Sequence, residues 1–250
     1  MRAQVSAILH VYNEAHQIRE CLEGIKWADE IIIMDCFSQD DTVAIASQFT
    51  QKIHQRRYIN AAEAKNWLLT QATREWILAI DADERCTQEL AQEIQQRFSF
   101  EDGTAGYSIL LQTFCLGRKM QGWPKGERQV RLFKKTLARW EDKEVHSKLV
   151  VHGSRKELVH PLLHYPYPTI NALWVKFDRY TTFEARARQK GKKRLGLFGF
   201  LKILIGSFTI FFRMVFLRGC FRDGRAGLLL AFFSACYPLV SVCKSWGRRE

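Results

Sequence analysis

Three times in its first ninety residues the chain passes through a short apolar run straight into a polar cluster, and that repetition constrains its fold more than any other feature. The runs VSAILHV (5–11), EIIIM (30–34) and WILAI (76–80) have the length and texture of buried strands. Between them, residues 14–27 carry Ile18, Leu22 and Ile25 at helical spacing, residues 42–49 read as a crossover helix, and 61–72 as another helix. Repeated β–α units of this size predict an α/β fold, a mostly parallel sheet with helices on both faces. In such sheets ligands bind beyond the carboxyl ends of the strands. The polar clusters 10–14, 35–42 and 81–85 each begin at such an end. A single site assembled from three loops accounts for all of them.

From about residue 106 the texture changes. Residues 106–116 and 129–134 read as strands joined by the loop GRKMQGWPKGE, and helical periodicity resumes near Thr169 with Leu173, Phe177 and Tyr180. This divides the chain into an α/β domain over 1–168, itself changing texture near residue 100, and a basic, apolar helical tail over 169–250. Charge follows the same division: residues 1–171 hold 22 Lys+Arg and 22 Asp+Glu, whereas 172–250 hold 16 against 4. A neutral body with a basic tail points to an anionic surface as partner. Nucleic acid is disfavoured, because the apolar runs of the tail are nearly continuous and unlike a basic groove with spaced stacking aromatics.

The tail has its own pattern. Lys202, Gly206, Thr209 and Arg213 form one polar or small stripe, with Phe198, Leu201, Ile205, Phe208 and Phe212 away from it. That is an amphipathic helix suited to a membrane interface. A second apolar run, 226–243, is interrupted by Pro238. A spanning hairpin would carry Arg218, Arg222 and Arg225 to the far side, against the positive-inside tendency, so an interfacial tail is expected. The seven cysteines form no CxxC pair, which fits a reducing compartment. The first apolar run is too short for a signal peptide, so the body is expected in the cytosol.

Asp81 and Asp83 in DADE follow an apolar run, and on an extended segment they would point the same way toward one hard cation. Mg2+ or Mn2+ prefers such ligands and would neutralise charge on a departing nucleoside diphosphate. His146 is a candidate third ligand, with His160 and His164 weighed beside it. Asp35 is placed to accept from a nucleobase, Tyr12 to pack on one, and Asn13 and Glu14 complete that cluster. Asp40 is expected mainly to shape the turn. Arg128 and Arg131 flank a strand where a phosphate or an acceptor would sit. A general base is expected among Glu144, Asp142 and Glu141, with Glu144 preferred because it precedes a strand-like segment. The chain has no GxxxxGK[ST], no GxGxxG after its first strand and no HExxH, so P-loop, nicotinamide and zinc-protease chemistry lack support.

In order, VSAILHVYNE, MDCFSQDDT, AEAKN and WILAIDADE resemble the family-two glycosyltransferases with the GT-A (Rossmann-like) fold, over roughly residues 4–165. QVRLFKK, EVH and PLLHY bring the resemblance nearest to bacterial lipopolysaccharide-core enzymes. The resemblance implies an inverting transfer from a nucleotide-sugar, favouring a UDP-sugar, to a lipid-linked saccharide at the cytoplasmic face of the inner membrane. It also implies that 1–168 is the catalytic domain, with a donor-binding half over about 1–100 and an acceptor half over about 101–168. It implies further that Tyr12, Glu14 and Asp35 contact the nucleoside, that Lys65 assists at the donor, and that Asp81 and Asp83 serve the diphosphate and metal. One departure stands out: relatives often read VHE where this chain has Val145-His146-Ser147. Two other classes compete. A nucleotidyltransferase would carry a glycine-rich basic loop after the first strand, and HVYNEA has none. A membrane-binding adaptor leaves the acidic clusters without a role.

Overall fold

In a computed structural model of the chain, residues 4–97, 103–122, 126–141, 148–190 and 196–246 are described. They form two compact units, Met1–Gln112 with Glu127–His164, and Thr113–Gly126 with Tyr165–Glu250. In chain order the elements are β1 (Val5–Val11), α1 (Ile18–Ile25), β2 (Glu30–Asp35), α2 (Thr42–Ala46), β3 (Ile53–Gln55) and α3 (Ala61–Gln71). Then come β4 (Trp76–Ala79), β5 (Glu84–Cys86), α4 (Gln88–Arg97), β6 (Thr104–Cys115), β7 (Arg118–Lys119) and β8 (Glu127–Lys134). β9 (Ala138–Trp140), β10 (Leu149–Val151), β11 (Ser154–Glu157) and β12 (Leu162–Tyr167) precede three long helices, α5 (Ile170–Lys190), α6 (Leu197–Phe212) and α7 (Gly224–Trp246).

Strand periodicity builds the first unit. Side chains alternate across a sheet, so Val5, Ala7, Leu9 and Val11 of β1 pack with Ile18, Leu22 and Ile25 of α1 and Leu90 and Ile94 of α4. Ile8 of β1, with Ile32 and Met34 of β2, faces the other way onto Ala64 and Leu68 of α3. Both faces are therefore covered, as expected. Where α1 crosses β5, Gly24 permits the approach: a Cβ there would lie 2.7 Å from the Cys86 carbonyl oxygen.

The sheet order is β3-β2-β1-β4-β8-β6-β12-β5, with β11 alongside β6. β3, β2, β1 and β4 run parallel. Beyond β4 the character changes: β4–β8, β8–β6 and β12–β5 are antiparallel. The reason lies in the connections. Parallel neighbours need a long crossover, usually a helix, and no helix lies among the described residues between β6 and β8. β9 and β10 form a separate antiparallel pair, with Trp140 opposite Leu149.

In the second unit, α5 and α6 each pack along α7. Leu173, Ala226 and Leu230 bury themselves with Cys115 and Met120, while Met214, Val215, Cys220 and Ala231 form a second cluster. The loop after β7 belongs here because Asp223, fully buried, accepts the backbone N–H groups of Gln121 at 2.7 Å and Gly122 at 2.8 Å. Only glycine fits at 122, where a Cβ would lie 2.3 Å from the Gly219 oxygen. Lys244 clips α7 to α5 through Asp178 Oδ1 at 2.7 Å and the hydroxyls of Thr181 and Thr182. Phe198, Leu201, Ile205, Phe208, Phe212 and Phe216 lie exposed along α6 and the π-helical turn that follows it. Phe198–Leu217 and Cys220–Trp246 are each long and apolar enough to cross a bilayer by length and composition.

Candidate active site

The carboxyl ends of β1, β2 and β4 are adjacent, and the loops that leave them are cross-braced. Asn13 N–H donates to Ser38 Oγ at 3.0 Å, and its amide oxygen accepts from Gln39 N–H at 2.8 Å. Glu14 N–H donates to Thr42 Oγ1, and Ala15 N–H to Asp40 Oδ2. Asp40 also accepts from the Thr42 N–H at 3.1 Å. Burial alone would raise the Asp40 pKa, but the Thr42 and Ala15 hydrogen bonds lower it below the usual range. Asp40 thus has the structural role expected of it, and Asn13 shares that role. Two residues here take left-handed backbone angles, Asn13 at φ 55° and Phe37 at φ 63°. Asparagine tolerates this; an aromatic residue rarely adopts it. Phe37 and Tyr12 are both about half exposed at this rim.

Asp35 ends β2 fully buried, with carboxylate oxygens 3.2 Å from Ser38 N–H and 3.3 Å from Gln55 Nε2. Glu14 accepts from Gln17 Nε2 at 2.6 Å at the entry to α1.

The second half of the site is a buried charge cluster. Asp81 to Glu84 form a tight turn closed by Glu84 N–H donating to the Asp81 carbonyl at 2.9 Å. The acidic motif is therefore not extended as the sequence suggested, because β4 stops at Ala79. Asp81 Oδ1 lies 3.0 Å from Lys65 Nζ, and Oδ2 lies 3.1 Å from Arg131 Nη2. Arg131 also pairs with Glu84, which is fully buried and accepts from Asp81 N–H at 2.9 Å. Strand register explains the meeting: Leu78 of β4 pairs with Leu132 of β8, which sets Arg131 beside the end of β4. Lys65 comes from α3, where Asn66 next to it holds Trp140 through two backbone hydrogen bonds.

Electrostatics follow from this packing. Burial opposes ionisation of Asp81, but Lys65 and then Arg131 hold its carboxyl well below the usual range. Burial pushes Glu84 up to about 7 against the pull of Arg131, with the Asp81 charge adding to the rise. His10, one strand away, is lowered to about 4 by burial first and Lys65 second, so it is neutral near pH 7. Arg131 stays charged: burial opposes it, but Glu84 and Asp81 prevail.

Asp83 faces His164 of β12, with Oδ2 to Nε2 at 3.7 Å. A magnesium-like ion keeps water and substrate phosphates in its shell and needs only one or two protein carboxylates. Asp83 supplies one beside the Asp81 cluster, and that donor chemistry fits such an ion completed by a ligand's phosphates. Among the described residues no group of three His, Cys, Asp or Glu side chains forms a ready cage. His160 is engaged elsewhere, with Nδ1 3.0 Å from Glu93. Arg128 also binds elsewhere, donating to the Leu158 carbonyl at 3.0 Å and pairing with Glu157. Asp142, Glu144 and His146 lie outside the described residues; Glu141, at their edge, donates its N–H to the Lys148 carbonyl.

Sequence reasoning assigned no role to Glu84, and it did not single out His10. An acid directly after a strand-end pair was the available signal for Glu84. The local sequence marks His10 only as the first residue of the polar cluster 10–14.

The model for glycosyl transferase family 2 matches residues 6–152, and the chain belongs to that family. It is 25% identical over 252 residues to the lipopolysaccharide core biosynthesis glycosyltransferase LpsC of Rhizobium meliloti, covering 98% of this chain and 92% of that protein. A glycosyltransferase of Rickettsia felis is 29% identical over 254 residues, covering 96% and 89%. Among solved structures, Staphylococcus aureus TarS 1-349 is similar at TM-score 0.46 and 13% identity, over 97% of this chain and 88% of that one.

Proposed function

We propose that the chain transfers a sugar, with inversion, from a UDP-sugar to a membrane-anchored saccharide in the synthesis of lipopolysaccharide core or a related envelope glycan. The observation that carries this reading is the convergence of Lys65 of α3 and Arg131 of β8 on Asp81, with Asp83 beside it, where the loops bearing Tyr12 and Asp35 also leave their strand ends. Family membership gives the reaction class. The name of LpsC supplies the acceptor class, and the likeness extends over nearly the whole chain.

Tyr12, Glu14 and Asp35 would hold the nucleoside. Lys65 and Arg131 bring two cations to the place where a diphosphate would lie, and they already orient Asp81. Asp83, with Asp81 near it, would hold Mg2+ or Mn2+, which when bound would stabilise the charge leaving with the nucleoside diphosphate. The base would come from Glu144, Asp142 or Glu141. Support for that region is the anchoring of Trp140 to Asn66, with Lys65 Nζ 5.9 Å from its ring, just before the segment begins. The tail would lie in the interface of an anionic bilayer on the cytoplasmic side. Its exposed apolar stripe on α6 would enter the headgroup boundary, and Lys202, Arg213, Arg218 and Arg222 would stay near phosphates.

The test is donor hydrolysis by the full chain in detergent, screened over UDP-, GDP- and ADP-sugars with and without Mn2+. Turnover of one donor, raised by the metal, is expected. No turnover of any of them, with or without lipopolysaccharide acceptor, would overturn the reading.

A further inference from the structure

We propose that His10 is a donor-binding residue whose imidazole hydrogen-bonds a neutral oxygen, hydroxyl or carbonyl, of the nucleoside. The inference rests on the function proposed above and adds a contact that neither the motifs nor the family assignment supplies.

Ile8 of β1 pairs with Ala79, the last residue of β4, so β1 runs on through His10 beside the point where the chain turns into Asp81. On the other flank His10 pairs with Met34, one residue before Asp35. His10 therefore stands between Asp35, assigned to the nucleobase, and Asp81, assigned to the diphosphate. Alternation turns its side chain toward the α3 face, where Lys65 also lies. There its ring stacks on Tyr58, with centroids 5.9 Å apart and planes 17° from parallel.

The decisive atom is Nδ1. It is buried and has no hydrogen-bond partner in the folded protein. Buried polar groups are nearly always paired, and one that is not calls for an explanation. The surroundings of this one are the site itself, since Lys65, Asp81, Asp83 and Arg131 all act on its ionisation. An imidazole nitrogen can donate or accept one hydrogen bond, which suits a hydroxyl or a nucleobase carbonyl, while the anionic phosphates are served by Lys65 and Arg131. Phenylalanine or leucine at this place would fill the same volume beside Tyr58 without an orphaned nitrogen. An unpaired imidazole is the residue to expect where a ligand, not the fold, provides the partner.

Fold and function make opposite predictions for two substitutions. His10→Phe keeps the ring stack and removes both nitrogens. His10→Asn places an amide near the position of Nδ1. Titration calorimetry on the full chain in detergent with Mn2+ would use whichever of UDP, GDP and ADP the wild type binds. His10→Phe should weaken that nucleotide about three- to tenfold, the worth of one net hydrogen bond. Its melting temperature without ligand should be unchanged or higher, and His10→Asn should recover most of the affinity. Wild-type affinity in His10→Phe would overturn the inference while leaving the proposed function standing. So would an equal loss in both variants accompanied by a lower melting temperature, which would mark a purely structural role. If the wild type binds none of the three nucleotides, the donor class fails and the inference with it.

Discussion

Replacing Arg131 by methionine tests the charge cluster most sharply. The side chain is nine-tenths buried and pairs with Asp81 and with Glu84, itself inaccessible to solvent. Methionine fills the aliphatic volume but leaves both carboxylates without that cation. Asp81 keeps Lys65 at 3.0 Å, and Glu84 keeps the Asp81 N–H at 2.9 Å, so the loss falls mainly on Glu84. Breaking a buried pair by removing one partner costs about 3–5 kcal/mol. Glu84 has an escape, since it can take a proton. Its folded pKa, about 7 with Arg131 present, lies above the usual 4.5 and should rise further without the guanidinium. A carboxyl whose folded pKa is raised is most favourable to folding while protonated, and that contribution is lost as pH rises from 4.5 through the folded pKa. Removing Arg131 extends this window upward, so the variant should be penalised more at pH 8.5 than at pH 6. A tenfold weaker acid at Glu84 adds about 1.4 kcal/mol to the difference. Urea unfolding of the full chain in detergent, followed by tryptophan fluorescence at both pH values, measures it. Adding Glu84→Gln should remove most of the pH dependence. A destabilisation below about 1 kcal/mol at both pH values would refute the reasoning.

Two further outcomes follow from other parts of the chain. Burial would raise the Glu30 pKa, but hydrogen bonds from Lys52, Ser6 and Thr73 lower it to about 2, so it stabilises the fold above pH 4.5 and loses that effect as pH falls toward 2. Glu30→Gln should cost about 1–3 kcal/mol at pH 7 and much less at pH 3, as read by urea midpoints at the two values. On α6, Ile205→Ser with Phe208→Ser and Phe212→Ser should reduce cosedimentation with phosphatidylglycerol vesicles while leaving the melting temperature in detergent within a few degrees. Undiminished binding would remove that stripe from the membrane contact.

The elements read correctly from sequence are those whose burial is continuous along a strand or confined to one face of a helix. β1 agrees with its expected bounds, and β2 and α3 agree to within one residue at one end, because nearly every position in the strands is buried and α3 shows one apolar face. The short strands escaped notice for the opposite reason. All four residues of β11, Ser154–Glu157, are exposed, and β5 spans only Glu84–Cys86. α4 was missed because its core contact rests on Leu90, Ala91 and Ile94 in an otherwise polar helix. At the site, the residue types were legible and their pairing was not. Lys65 and Arg131 are far from Asp81 in sequence, and only the α3 packing and the β4–β8 register bring them together. The same limit hid the loop Thr113–Gly126 among the C-terminal helices, since Asp223 reaches it across about a hundred positions. On α6 the apolar stripe was readable, and it is exposed; the face that packs on α7 through Ile210 and Phe211, continued by Met214 in the turn after it, was not singled out.

In the function proposed above, the cluster around Asp81 and Asp83 binds the donor's diphosphate as its sugar is released. Asp83→Asn puts the claim to its most direct test, because the amide is nearly isosteric and Asp83 lies outside the pairs that Lys65 and Arg131 make with Asp81 and Glu84. Turnover of the donor identified by screening should be measured for the purified variant and the wild type over a range of Mn2+. The account predicts a loss of at least about a hundredfold in kcat/KM, which corresponds to about 2.7 kcal/mol, with an unchanged melting temperature. A variant that folds normally and turns over the donor at the wild-type rate would contradict it.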